Sequence, residues 1–188
     1  MKSLLALLVL LSASTWSLTA QPATAYTGPT AVSGVAPQAV SSPDGYTFQV
    51  PTGWQSVTPQ AGPPTPSLRY QSPDGGEAAA VFDGQRLASD PSDPIAFLDM
   101  YLPAQFGSLQ DFQMEADPKL ITGVSGADSA ADAAFGYTDS QGTPYLDALV
   151  LAFKGNTVYQ LIVDVPVAWA QQNANVLDAI LNSFALTT

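Results

Sequence analysis

Carboxylates are the chemistry-bearing side chains that this sequence offers in number. Its 188 residues include 16 Asp and Glu against five Lys and Arg, with no His and no Cys. Without those two residue types, no Ser-His-Asp or Cys-His site, no Cys/His zinc site and no histidine acid–base can form. The phosphate-cradling patterns GxxxxGK[ST] and GxGxxG are missing, and so is the GxSxG nucleophile elbow. Carboxylates alone can still hydrolyse glycans, given two of them at a fixed separation in a cleft, or bind a cation. The glutamates are Glu77 and Glu115, and most aspartates sit in turn contexts: Asp44-Gly45, Asp74-Gly75 and Asp83-Gly84 are turn chemistry. Asp128 and Asp132 can lie close together, as can Asp90 and Asp93, but neither pair has the EF-hand spacing. These acids are expected to form a solvated surface. No catalytic, cofactor-binding or metal-binding residue is assigned, and no cofactor is expected.

The elements that would position any site are clearest between Pro144 and Phe184. Tyr145–Phe153 (YLDALVLAF) and Thr157–Val165 (TVYQLIVDV) are apolar at nearly every position. Lys154-Gly155-Asn156 between them suits a tight hairpin, because Gly and Asn tolerate positive φ. A strand with one wet face alternates apolar and polar residues, whereas a continuous apolar run needs cover on both faces. The hairpin is therefore expected in the middle of a sheet with helices above and below. A helix is expected directly after it, with Pro166 in its first turn. Trp169, Val176, Leu177, Ile180, Leu181 and Phe184 recur at helical spacing and give it one apolar stripe.

Earlier segments read as shorter elements. Tyr46–Val50 (YTFQV) alternates as a strand and is broken by Pro51-Thr52-Gly53, which brings Trp54 onto the core. Pro59–Pro66 is a loop. Leu68–Ser72 and Ala78–Phe82 are strands about the turn Pro73-Asp74-Gly75-Gly76, the second ended by Asp83-Gly84. Asp93 caps a helix with Pro94 at its first position and Phe97, Leu98, Tyr101, Leu102 and Phe106 on its apolar face. Pro103 predicts a kink or an end near Leu102, and Gly107 a stop. Phe112–Glu115 and Leu120–Val124 are two weaker strands. Ala130–Thr138 leads through the turn Asp139-Ser140-Gln141-Gly142 into the central hairpin. Trp54 and Trp169, with Tyr70, Tyr101, Tyr137 and Tyr145, are expected as core anchors, since aromatic side chains mainly supply packing area.

The N-terminus reads as a secretory signal over residues 1–25: Lys2, the apolar run Leu4–Leu11, and the cleavage pattern Ala23-Thr24-Ala25. That run is too short to span a bilayer, which takes about 20 apolar residues. Residues 26–42 carry no charge and no periodicity and read as a flexible leader, with one domain over 43–188. An extracytoplasmic location, secreted or periplasmic, follows, or the thylakoid lumen in a photosynthetic cell. The absence of Cys excludes disulfides and lipid attachment through an N-terminal Cys. Formal charge is −11, and the four basic residues after the signal are scattered. Nucleic acid and anionic lipid are therefore poor partners. The expected partner is a protein or a component of the cell envelope.

Tyr46-Thr47-Phe48-Gln49-Val50-Pro51-Thr52-Gly53-Trp54 resembles the opening strand of the PsbP-like fold, y-x-f-x-x-P-x-g-W. The Asp93–Phe106 helix, the long hairpin and the ending Ile180-Leu181-Asn182-Ser183-Phe184 follow that family's order, so the resemblance spans about Asp44 to Leu186. It implies an α+β fold, an antiparallel sheet between helices in an α/β/α sandwich. Members of the family include the extrinsic photosystem II subunit, a nuclear Ran-binding import factor and many bacterial envelope proteins. The resemblance does not imply a conventional enzyme. This chain departs from each branch: a signal peptide excludes the nuclear role, no Cys can take a lipid, and the histidine metal ligands of the plant type have no counterpart. No functional residue carries over. The expected function is an exported, non-catalytic binding or assembly module; a photosystem-associated accessory protein and a carboxylate-dependent glycan hydrolase are the alternatives.

Overall fold

The computed structural model describes residues 37–58, 66–87 and 93–187. Along them run β1 (Gln38–Ser42), β2 (Tyr46–Val50), β3 (Gln55–Val57), β4 (Leu68–Gln71), β5 (Ala78–Arg86) and α1 (Pro94–Phe106). After these come β6 (Gln113–Ile121), β7 (Ser129–Thr138), β8 (Pro144–Lys154), β9 (Thr157–Pro166), α2 (Val167–Gln172), α3 (Ala174–Asn182) and β10 (Ala185–Leu186).

The β8–β9 hairpin is the centre, as its apolar run requires. It turns on Gly155 and Asn156, with Lys154 opposite Thr157, and Gly155 takes the positive φ (53°). The antiparallel sheet around it has the order β3-β4-β5-β9-β8-β7-β6. Successive residues of β8 face opposite ways. Leu149, Leu151 and Phe153 pack under Leu98 and Leu102 of α1. Ala148, Val150 and Ala152 pack under Trp169 of α2 and Leu177 and Ile180 of α3. Burying side chains of the larger kind stabilises by roughly 1.5–3 kcal/mol each. A three-stranded sheet, β1-β2-β10, shares this second layer and contributes Val40, Tyr46, Phe48, Val50 and Leu186 to its core. The expected α/β/α sandwich is thus present, with a small sheet beside the helices of one layer.

The structure corrects several expected boundaries. The leader expected over 26–42 ends too late, because Gln38–Ser42 pairs along its length with β2. Pro43-Asp44-Gly45 is the turn of that hairpin, not the start of the domain; Gly45 has φ 93°. Residues 1–36, with the expected signal and the rest of the leader, lie outside the described residues, as do 59–65 of the expected loop. β5 does not stop at Asp83-Gly84: the pair is absorbed as a register shift between Phe82 and Gln85, a place where a strand accepts Gly. The two weak strands around Asp117-Pro118 are one edge strand, β6, with two register shifts; an edge and a bulge are where a sheet tolerates Pro. Helix α1 continues through Pro103 to Phe106, where Phe106 stacks on Phe135 at 4.7 Å. The terminal helix is broken in two at Asn173. The Asn173 side-chain amide donates to the Trp169 carbonyl at 3.0 Å, a local bond that competes with helix continuation. Phe184 lies beyond α3 but is buried all the same, 1 % exposed.

The cap of α1 and the break after β2 are as expected, whereas Pro166, expected in the first turn of the terminal helix, is the last residue of β9 and directly precedes α2. Asp93 accepts hydrogen bonds from the Ile95 and Ala96 N–H groups at 3.0 and 3.2 Å, and Trp54 folds back onto the core, 6 % exposed. Gly126 has a less visible role. Its φ is +78°, and a Cβ there would stand 2.3 Å from the Leu186 carbonyl oxygen. Leu186 also donates its N–H to the Ser125 carbonyl at 2.8 Å. Gly126→Ala should therefore cost more than the roughly 1–2 kcal/mol of left-handed backbone alone, because β10 must shift as well. A thermal melt of the variant checks this; an unchanged melting temperature would refute it.

Candidate functional site

Two places gather polar side chains against apolar surroundings. The first is a cleft of about 480 Å³ on the face away from α1. Leu120 and Ile121, at the end of β6, and Val124 in the loop that follows form one wall; Val150 of β8 and Leu181 of α3 complete the apolar lining. Two acids join from different elements, Asp132 of β7 and Asp178 of α3. Leu120 is 63 % exposed at the rim. Asp132 meets Lys119 of the neighbouring strand at 3.5 Å, while its Oδ1 is buried with no hydrogen-bond partner. Helix α3 starts afresh after Asn173 and packs against β2, β9 and β8, which brings Asp178 and Leu181 to the cleft.

The second place is closed. In the β8–β9 register Asp147 stands directly opposite Asp164. Both side chains lie on the α1 face of the sheet, beyond Leu149 and Ile162. Asp147 is 6 % exposed. Burial, then the charge of Asp164, holds the Asp147 carboxyl well above the usual carboxylate range, and it donates a hydrogen bond to Asp164. Burial also raises Asp164, but donors from Asp147 and Tyr137 and the charge of Arg69 oppose that rise. The Tyr137 hydroxyl donates to Asp164 Oδ1 at 3.0 Å, and its ring stacks on Tyr145 at 5.5 Å. Burial, with Asp164 and Asp147 behind it, pushes the Tyr137 phenol upward. Of the two, Asp147 is therefore the carboxyl that keeps its proton more readily.

The acids singled out from sequence are dispersed. Asp128 and Asp132 do not converge: four residues along an extended chain span about 13 Å, and Asp128 instead accepts the Gly155 N–H at 2.7 Å. Asp93 caps α1, and Asp90 lies outside the described residues. Among the described residues no group of three or more Asp or Glu is placed to hold a metal. Most of the aromatic anchors pack as expected, with Trp169 8 % exposed and Tyr70 edge-on to Phe48 at 6.1 Å; Tyr145 does not, being part of neither core and resting on the Tyr137 ring instead. Tyr101 and Tyr137 add hydroxyl bonds to buried strand residues, Tyr101 to Gln160 Oε1 at 2.7 Å. Sequence reasoning passed over Asp147 and Asp164 as single interruptions in apolar runs, although both lie seven positions from the turn-flanking pair Lys154 and Thr157.

Three solved structures share this architecture. CyanoP of Synechocystis, a cyanobacterial PsbP, is 14 % identical with a TM-score of 0.54, over 84 % of this chain and 96 % of that one. LpqN of Mycobacterium tuberculosis, described as involved in cell envelope biogenesis, is 18 % identical with a TM-score of 0.50, over 81 % and 91 %. The Ran-binding protein Mog1p of Saccharomyces cerevisiae is 13 % identical with a TM-score of 0.53, over 81 % and 96 %. The fold is PsbP-like, as the opening strand and terminal helix suggested. By sequence, the chain belongs to the family described as the serine/threonine kinase C-terminal domain, whose profile matches residues 38–186, from the first residue of β1 to the last of β10. No curated protein matches the chain by sequence. Among the described residues no helix is long and apolar enough to cross a membrane.

Proposed function

We propose that this chain is an exported, non-catalytic binding or assembly module that makes its contact through the cleft between β6 and α3. The cleft carries the reading: an open recess of mixed polar and aliphatic lining with acids on its walls, of a size that binding sites commonly have. The N-terminal signal pattern over residues 1–25 supports export, and the likeness to LpqN agrees with an envelope setting. The matched region lacks GxGxxG, and without His it has no H-R-D catalytic loop. A domain of this family is therefore read as a companion of signalling or envelope machinery, and its partner as a protein or an envelope component.

The hydrolase alternative asks for two facing acids across an open cleft. The buried pair Asp147 and Asp164 stands opposite in the β8–β9 register with Asp147 only 6 % exposed, so it does not open to a sugar. Of the two acids on the cleft walls Asp132 is paired with Lys119 at 3.5 Å, whereas a glycosidase needs two free carboxyls roughly 5–9.5 Å apart. The test uses the purified full chain as bait on the envelope fraction of its own cell, beside Leu120→Arg. Surface changes of this kind usually move stability by less than about 0.5 kcal/mol, so loss of a retained component in the variant would reflect the cleft. Equal retention by both forms, or turnover of a glycan by the purified protein, would overturn the reading.

A further inference from the structure

We infer that the β6–α3 cleft takes a small organic cation, an ammonium group on an apolar stem of about four to six carbons; this rests on the cleft being the contact site. The volume of about 480 Å³ suits a small molecule. Its two kinds of wall fit two parts of one ligand. Leu120, Ile121, Val124, Val150 and Leu181 offer apolar surface for a stem, while Asp132 and Asp178 offer negative charge; among the described residues no Lys or Arg is part of the lining, and Lys119 stands beside it on Asp132.

Asp132 is the residue that singles out a donor. Its side chain is 29 % exposed, and its Oδ1 has no hydrogen-bond partner, so one carboxylate oxygen is left to be satisfied by a donor from outside. Its one ion pair, with Lys119 at 3.5 Å, involves a side chain 68 % exposed, and such pairs contribute little. Rotation about χ2, a soft torsion in Asp, presents that carboxylate to a donor in the cleft. The competing ligand classes fit less well. An anion meets two acids. A bare divalent cation wants six or more oxygens, whereas half of this lining is aliphatic and among the described residues no group of three or more acids is placed to hold a metal. The formal charge of −11 further raises the local concentration of cations.

The test is an amide chemical-shift titration of the purified full chain with n-hexylammonium chloride, beside n-hexanol and sodium hexanoate. The expected result is saturable shifts for the amine at Ile121–Val124, Asp132 and Asp178–Asn182, with hexanol at least ~10-fold weaker, in line with a hydrogen bond to a charged partner, and hexanoate without effect. Asp132→Asn combined with Asp178→Asn should weaken the amine by a similar factor. Lys119→Ala should strengthen it, by up to about fivefold, because the competing cation of a surface pair is gone. Equal binding of hexanol and amine, or an unchanged affinity in the double variant, would overturn the cation inference and leave the cleft as an apolar contact site. If no probe saturates the cleft and Leu120→Arg also leaves partner retention intact, the inference and the reading of the cleft both fail.

Discussion

Asp147→Asn is expected to raise the melting temperature of this protein at pH 8 and to leave it almost unchanged at pH 4. The sign follows from the direction of the shift. Asp147 is held well above its ordinary range by burial first and by the charge of Asp164 second. An unfolded chain releases that proton near pH 3.9, whereas the folded chain keeps it to a higher pH. Between those two points the native state binds more protons, so stability falls as pH rises from about 4 through the folded-state pKa. Asn has no proton to lose and still offers an N–H to Asp164, so the slope should flatten and the gain should appear only on the alkaline side. For a domain of this size, each kcal/mol relieved moves the melting point by about 2–4 °C. Tyr137→Phe should act the other way. It removes the 3.0 Å hydrogen bond to Asp164 Oδ1, a bond to a charged acceptor and worth about 1.5–3 kcal/mol. That loss should be full where Asp164 is ionised and fade as pH falls through its titration. Thermal melts of the three proteins from pH 3.5 to 8.5 decide the matter. If the Asp147→Asn curve runs parallel to the parent's, Asp147 does not keep its proton as described.

Phe135→Ala should cost roughly 3–5 kcal/mol, the range for emptying a buried aromatic position. Phe135 is fully buried and is the ring on which the α1 layer closes: Phe106 lies 4.7 Å away and Phe112 5.3 Å. Phe106 belongs to the last turn of α1, after Pro103, and Phe112 leads into β6, so the cavity would loosen both at once. Met100→Ala on the same helix is the control. Met100 is 69 % exposed, and its loss should stay within about 0.5 kcal/mol. Denaturant unfolding of both variants measures the difference. Similar values for the two would mean that α1 is not held to the sheet through Phe135.

The central hairpin was legible because its information is local. An apolar run of one period, a Gly-Asn turn and a second run fix strand, turn and register together, and that register by itself sets Asp147 against Asp164. The pair could therefore have been read by counting outward from Gly155. It was missed because a single acid in a nine-residue, mostly apolar run counts as noise until its cross-strand partner is considered. Elements that depend on a distant partner were not legible. β1 has the composition of a leader and is ordered by the exposed edge of β2. β3 and β10 are too short to show a period, and β6 hides its continuity behind Asp117-Pro118.

By itself the sequence determined the layer plan, the cap of α1, the buried Trp54 and Trp169, and the exclusion of His- and Cys-based chemistry, because each of these depends on residue type and near neighbours. The cleft was decided only by tertiary structure. Leu120, Asp132, Val150 and Asp178 stand on four elements with no periodic relation to one another, and they meet where α3 packs against the sheet. Side-chain period reports which face of an element is buried; it carries no information about where two such faces fail to close.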